Sequence, residues 1–344
     1  MPRKARRKQG AVKIHGLAEA FGASIITGLR QMGIEAVIFD VWLRIFIRNK
    51  TTRSSDRRTG NLQEAMMGKS IRLIVLDLDG TLLTTDKKIS PANYAALEQA
   101  AAKGIHIVPC TGRFFAGMPE QVRSLPFLHY AITINGAEIY DVKQKKSLHS
   151  APISLAQAEE VYSVLDTLPV IYDCFQDGWG WMDRKFYDRI DQFAMGDVRP
   201  EQMRQMRTPL EDFRQTIRMR GKPLQKIQMF FQDMQLRSDM LGKLQQRFPD
   251  LVVTSSLVNN IEINSGDAHK GAALLELCRQ LDIDPAEAMA FGDGLNDVTM
   301  LQTAAVGVAM GNAAQPVKDA ADFITDTNDN DGVAKAVLRF CLDG

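Results

Sequence analysis

"IRLIVLDLDGTLL", residues Ile71–Leu83, decides how the chain is read. Its unbroken apolar, β-rich start predicts a strand buried on both faces. The run ends in two aspartates one residue apart, then a glycine and a threonine. Like charges so close repel unless something positive lies between them. The stretch is therefore either a strand entering a solvated turn or half of a cation site.

Working outward, strands and helices alternate. "SPANYAALEQAAAKG" (90–104) predicts a helix with Ser90 as N-cap, Pro91 in the first turn and Gly104 just past the end. "IHIVPC" (105–110) and "YAITIN" (130–135) are further strands. This rhythm predicts an α/β fold, a doubly wound parallel sheet with right-handed crossovers. The rhythm changes at "SLAQAEEVYSVLDTL" (154–168), a capped helix, and "PVIYDCFQDGWGWMD" (169–183), a hairpin turning at Asp177-Gly178. "LQKIQMFFQ", a helix through Leu236–Phe248, "LVVTSS" and "NIEINS" continue this α+β middle third. After Gly266 the doubly wound rhythm returns and runs to the end. The expected organisation is a core of residues 67–148 and 266–344, an inserted α+β domain at 149–265, and a leader at 1–66.

Composition is that of an ordinary globular chain. Among 344 residues, 45% are apolar, and 42 Lys and Arg stand against 41 Asp and Glu. Such a balance gives the core no general attraction to nucleic acid. No apolar run reaches the roughly 18–20 residues of a membrane-spanning helix. Four scattered cysteines with no CxxC pair fit reduced, buried thiols in a cytosolic protein. The balance hides a basic leader: residues 1–66 hold 13 Lys and Arg but 5 Asp and Glu. It reads as a nucleic-acid or membrane-surface arm, or as a solvated appendage, or as an upstream stretch ahead of a start at Met66 or Met67. Glu19, Glu35 and Asp40 argue against an organellar targeting peptide.

In open parallel sheets, ligands bind beyond the carboxyl ends of the strands. Four polar clusters fall at such places: Asp77-Leu78-Asp79-Gly80-Thr81, Thr111-Gly112-Arg113, Lys270 at a helix start, and Gly292-Asp293-Gly294-Leu295-Asn296-Asp297. Each alone is an ordinary loop. Together and in order they form a constellation. With "NGAEIYD" (135–141), "VAMGNA" (308–313) and "NDGV" (330–333), this order resembles the haloacid dehalogenase superfamily of phosphohydrolases, Cof-type large-cap subgroup.

The resemblance spans Met67 to Gly344 and implies a Rossmann-like core with an inserted cap. It implies a phosphatase of small phosphorylated metabolites, such as sugar phosphates, pyridoxal phosphate or a flavin mononucleotide. Asp77 matches the nucleophile that forms an aspartyl-phosphate, and Asp79 the general acid and base. Thr111 matches a phosphate-binding hydroxyl and Lys270 the cation that neutralises the phosphate, with Asn296 bonding the phosphate or its loop. Mg2+ is implied, held by Asp77, the Asp79 carbonyl and Asp293, with Asp297 in support. Gly80 and Gly292 leave room for close backbone approach. A phosphomutase, a dedicated sugar-phosphate phosphatase and a non-catalytic phosphate sensor are the alternatives. The implied partner is a small phosphorylated molecule, with no nucleic acid and no membrane for the core; oligomeric state and cap specificity stay open.

Several residues admit two readings. Arg113 either touches substrate or pairs with a neighbouring carboxylate. Asn135 either faces substrate or satisfies the turn before Gly136, with Gly112 beside the phosphate loop. Phe175, Trp179 and Trp181 are either a stacking surface for a substrate ring or cap core. His269 either approaches the site or faces solvent, and no histidine shows metal-ligand spacing.

Overall fold

The computed structural model describes residues 70–193, 199–255 and 257–342; the basic leader of residues 1–66 lies outside them. In chain order the main elements begin with β1 (Leu73–Leu76), α1 (Pro91–Ala102), β2 (His106–Pro109), β3 (Tyr130–Thr133), β4 (Glu138–Asp141) and β5 (Lys146–Ser150). Then come α2 (Leu155–Leu165), β6 (Ile171–Gln176), β7 (Trp179–Asp183), β8 (Arg207–Leu210), β9 (Lys226–Phe230), α3 (Met234–Arg247), β10 (Leu251–Thr254) and β11 (Asn260–Ser265). The chain returns through α4 (Lys270–Leu281), β12 (Ala288–Gly292), α5 (Val298–Thr303), β13 (Val306–Ala309), β14 (Phe323–Ile324) and α6 (Gly332–Val337).

The first sheet has the order β14-β13-β12-β1-β2, with every pair parallel. β3 joins beside β2 through bridges at Ile107–Leu128 and Cys110–Ile132, and carries the β4–β5 hairpin. Side chains of β1 alternate between two apolar layers, as the period of a strand requires. Ile74 and Leu76 pack with Ala96 and Leu97 of α1 and Val333 and Val337 of α6. Leu73 and Val75 pack with Leu274 and Leu277 of α4 and Met300 and Leu301 of α5. Helices thus cover both faces, and β1 reads as one apolar run because neither face meets water.

Local signals hold at the ends of elements. Ser90 Oγ accepts the Asn93 N–H (3.1 Å) at the start of α1, and Gly104 takes φ +84° just beyond its end. Asp177 and Gly178 both have positive φ, the turn that a two-residue hairpin favours. The middle third forms its own six-stranded sheet, β10-β11-β9-β6-β7-β8, built over a separate apolar core that includes Tyr162, Tyr172, Phe213 and Ile263. Periodicity left β8 and the short helices at Arg184–Tyr187, Ile190–Phe193 and Pro200–Gln205 unassigned, since four to six residues carry too little pattern to read. Cys110, Cys174 and Cys278 are buried free thiols, and Cys341 is half-buried and free. Among the described residues no helix is long and apolar enough to cross a membrane.

α4 and α5 touch closely where α4 begins. Gly271 N–H donates to Thr299 Oγ1 (3.1 Å), and a Cβ at Gly271 would fall 2.7 Å from the Thr299 carbonyl oxygen. Gly271→Ala is therefore expected to destabilise the fold by about 1–3 kcal/mol. Calorimetric melting reads this directly; an unchanged melting temperature contradicts it.

Candidate active site

Three strand ends converge on one point. Asp77 N–H donates to the Phe291 carbonyl (3.0 Å), so the last rung between β1 and β12 delivers Asp77 beside Gly292. On the other flank, Cys110 N–H donates to Leu76 O (2.8 Å) and Thr111 N–H to Ile132 O (3.0 Å). From β1 the chain moves to β2 on one side and later to β12 on the other. That reversal of direction opens a crevice in such sheets.

Lys270, the first residue of α4, fills it. Its side chain is 1% exposed, and Nζ lies 2.6 Å from Asp77 Oδ1 and 2.5 Å from Asp297 Oδ1. Burial works against the ammonium, but the two carboxylates outweigh it and hold the Lys270 pKa well above the ordinary value. Asp297 is fixed by its other oxygen, which accepts the N–H groups of Asp293 (2.9 Å) and Gly294 (2.8 Å). Asp293 accepts from Thr81 Oγ1 (2.8 Å). One oxygen each from Asp77, Asp293 and Asp297 lies within 4.8 Å of the others. Burial pushes Asp77 up to about 7, against the pull of Lys270, with Asp297 adding to the rise. Burial likewise pushes Asp293 up to about 6.

The two glycines flanking this cluster make room for carboxylates. Gly80 has φ +85°, and a Cβ there would collide with the Asp293 carboxylate. At Gly292 a Cβ would strike the Asp297 side chain.

Asp79 faces elsewhere. Its carboxylate takes Arg113 Nε (2.9 Å) and Nη2 (3.1 Å) side-on, and Lys87 Nζ (3.0 Å). Burial raises its pKa, but Arg113 and Lys87 together outweigh burial and hold it below the ordinary carboxylate value. Arg113 is thus paired with a carboxylate, the second of its two readings. Thr111, 2% exposed, accepts the Arg113 N–H on Oγ1 (3.2 Å) and so shapes the same loop.

Asn135 joins side chains of cap and core. It is left-handed (φ +58°) and bridges the two sheets' domains, donating from Nδ2 to Glu262 Oε2 (3.0 Å) and accepting from Asn296 Nδ2 (3.2 Å). Glu262 pairs with Lys226 (3.1 Å), whose ammonium also donates to the Gly112 carbonyl (3.3 Å). His269 is the N-cap of α4: its Nδ1 accepts the Ala272 N–H (3.1 Å), and burial lowers its pKa, favouring the neutral ring that can accept. The aromatics divide. Phe175 and Trp179 pack on Phe114 at 5.5 and 5.4 Å, while Trp181 lies under Arg220 against the cap core.

Thr81, Lys87, Lys226 and Glu262 were not singled out by sequence reasoning. Thr81 lies inside a quoted motif, and Lys226 and Glu262 alternate with isoleucines on their strands. Lys87 carries no signal, being a loop lysine that the fold brings back to Asp79.

A family model described as haloacid dehalogenase-like hydrolase matches residues 74–337. The chain is 32% identical over 279 residues to the 5-amino-6-(5-phospho-D-ribitylamino)uracil phosphatase YcsE of Bacillus subtilis, covering 79% of this chain and 96% of that protein. It is 27% identical over 280 residues to the pyridoxal phosphate phosphatase YbhA of Escherichia coli, covering 79% and 99%. The solved structure of a haloacid dehalogenase-like hydrolase from B. subtilis aligns with a TM-score of 0.65 at 31% identity, covering 78% of this chain and 99% of that one. With a family model matched across the whole sheet and cap, and relatives matched along nearly their full length, the chain belongs to the haloacid dehalogenase-like hydrolases.

Proposed function

We propose that the protein is a Mg2+-dependent phosphatase of small phosphorylated metabolites that works through an aspartyl-phosphate on Asp77. The observation that carries this is the setting of Asp77: at the end of the central strand, 9% exposed, with Lys270 at 2.6 Å and two further carboxylates within ligand reach. YcsE and YbhA, both named as phosphatases of small phosphate esters, support the substrate class.

The residues fit a divalent cation. Asp77, Asp293 and Asp297 bring three carboxylates to one place, and Lys270 is the one cation bonded to this cluster among the described residues. Burial raises Asp77 and Asp293, and the neighbouring carboxylates add to the rise, a repulsion that a cation would offset. An oxygen-rich, incomplete shell suits Mg2+, which when bound neutralises charge on the phosphoryl oxygens. Asp77, the Asp79 carbonyl, Asp293 and, in support, Asp297 would hold it.

Asp77 attacks phosphorus, forming the P–O bond as the bond to the leaving oxygen breaks. Lys270 and the Thr111 hydroxyl stabilise the equatorial oxygens, with Asn296 steadying the loop. Asp79 delivers a proton to the leaving alcohol and then takes one from the water that hydrolyses the acyl-phosphate. Held by Arg113 and Lys87, Asp79 is an ionised carboxylate, the form needed for the second half. For the first half Asp79 takes a proton from solvent, which the leaving oxygen then accepts.

Asp77→Asn is expected to lower phosphate release from a metabolite panel by about 1000-fold or more. Asp79→Asn is expected to lose about 100- to 10,000-fold in kcat. Phosphate release by a folded Asp77→Asn variant at the wild-type rate rules out the nucleophile. No release from any ester by the wild type moves the reading to a mutase or a phosphate sensor.

The cation also has a proton linkage. Below about pH 6 both Asp77 and Asp293 hold protons that a cation must displace, and above about pH 7 neither does. Mg2+ affinity is therefore expected to rise with pH through this window and level off above it. Titration calorimetry in buffers of different ionisation enthalpy measures the released protons. Affinity and heat independent of pH and buffer contradict the assignment.

A further inference from the structure

The cap meets the catalytic loops through a buried ion pair. Lys226 and Glu262 sit on neighbouring strands β9 and β11, each 3% exposed. Across the interface, Lys226 Nζ donates to Gly112 O and Glu262 Oε2 accepts from Asn135 Nδ2. Gly112 lies between Thr111 and Arg113, and Asn135 is bonded to Asn296, so each end of the pair is one step from a group assigned to the phosphate.

Docking alone does not call for this pair. A buried pair gains little over apolar residues of the same size, because both ions lose their water. Apolar docking is already supplied by Phe114, Phe175 and Trp179. Phe114 meets Phe175 tilted and Trp179 edge-on, a cluster that joins cap to core.

The face around the pair is largely polar, with the Phe175 ring beneath the Lys226 ammonium at 4.7 Å. Asp173, Gln228 and Glu262 stand in one cross-strand row, and Lys226 and Asn264, two residues away along their strands, share its face. Asp173 Oδ1 and Asn264 Oδ1 are buried with no hydrogen-bond donor among the described residues. Buried acceptors of this kind call for a donor. Across the interface Lys226 donates to a neutral acceptor, the Gly112 carbonyl, and Glu262 accepts from a neutral donor, the Asn135 amide. A hydroxyl is both.

We infer that Lys226 and Glu262 are the specificity-determining pair of this enzyme, exchanging Gly112 and Asn135 for hydroxyls of the leaving group when substrate is bound. The inference rests on the phosphatase reading above. It selects, within the phosphate monoesters, leaving groups that carry at least two hydroxyls, open-chain polyols or sugars, over flat aromatic alcohols.

The test compares kcat/KM for ribitol phosphate and sorbitol phosphate with that for phenyl phosphate and pyridoxal phosphate, using the full chain with Mg2+. The wild type is expected to favour the better polyol phosphate by at least about tenfold. Lys226→Met and Glu262→Gln are each expected to lower both the melting temperature and this preference. The double variant Lys226→Met/Glu262→Met separates the two roles: it removes both charges together, so the melting temperature recovers while the preference stays lost. Recovery of the preference along with the melting temperature overturns the inference, because the pair would then be structural only. A wild type that favours pyridoxal or phenyl phosphate over both polyol phosphates overturns it without any variant. No release from any ester, phenyl phosphate included, overturns the phosphatase reading and this inference with it.

Discussion

A single buried ammonium, Lys270 Nζ, joins the carboxylate at the end of β1 to the carboxylate that organises the loop after β12. Removing one partner from such a buried arrangement leaves an uncompensated charge, a loss of about 3–5 kcal/mol. The surrounding geometry serves this contact. Gly271 lets α4 approach α5, His269 closes the first turn of α4, and Gly136, at φ +97°, leaves space where a Cβ would fall 2.5 Å from the His269 carbonyl oxygen. The helix that carries Lys270 is thereby held from both sides. Asp297 in turn accepts two backbone N–H groups, so the position of the loop after β12 follows from the same ammonium.

The core was legible in the sequence for a physical reason. A strand buried on both faces, such as β1, has no polar positions to confuse its period, and capped helices such as α1 announce their ends. The four polar clusters were legible because they interrupt those patterns at the carboxyl ends of strands. Arg113 was not, since the choice between substrate and carboxylate depends on where Asp79 points, and that is set by the turn from Leu78 onward. Lys87 was invisible because a loop lysine looks alike whether it meets water or Asp79.

The cap was harder to read for a different reason. Along β9 and β11 the alternation of Lys226, Gln228, Glu262 and Asn264 with apolar residues has the period of a half-exposed strand. In the fold both faces are buried, one against the cap core and the other against the catalytic loops. Alternation tells that two faces differ, but not that the polar one is wet. The aromatic residues could be read either way from sequence: Phe175 and Trp179 pack on Phe114 at the junction of cap and core.

The two aspartates at the end of β1 end in opposite electrostatic states although one residue separates them. Strand alternation sends neighbouring side chains to different sides, but residues two apart should share a side. The chain breaks that rule here, because β1 ends at Leu76 and the backbone turns from Leu78 onward. Asp77 stays in the buried cluster, where loss of water raises it despite Lys270, while Asp79 swings to Arg113 and Lys87, whose charges lower it despite partial burial. Two carboxyl groups whose surroundings drive them apart are suited to different work. Asp77 is the one set among Lys270, Asp293 and Asp297, and Asp79 is the one held by Arg113 and Lys87. The opening motif therefore encodes a difference between its aspartates, and the turn that begins between them, at Leu78, is what makes the difference possible.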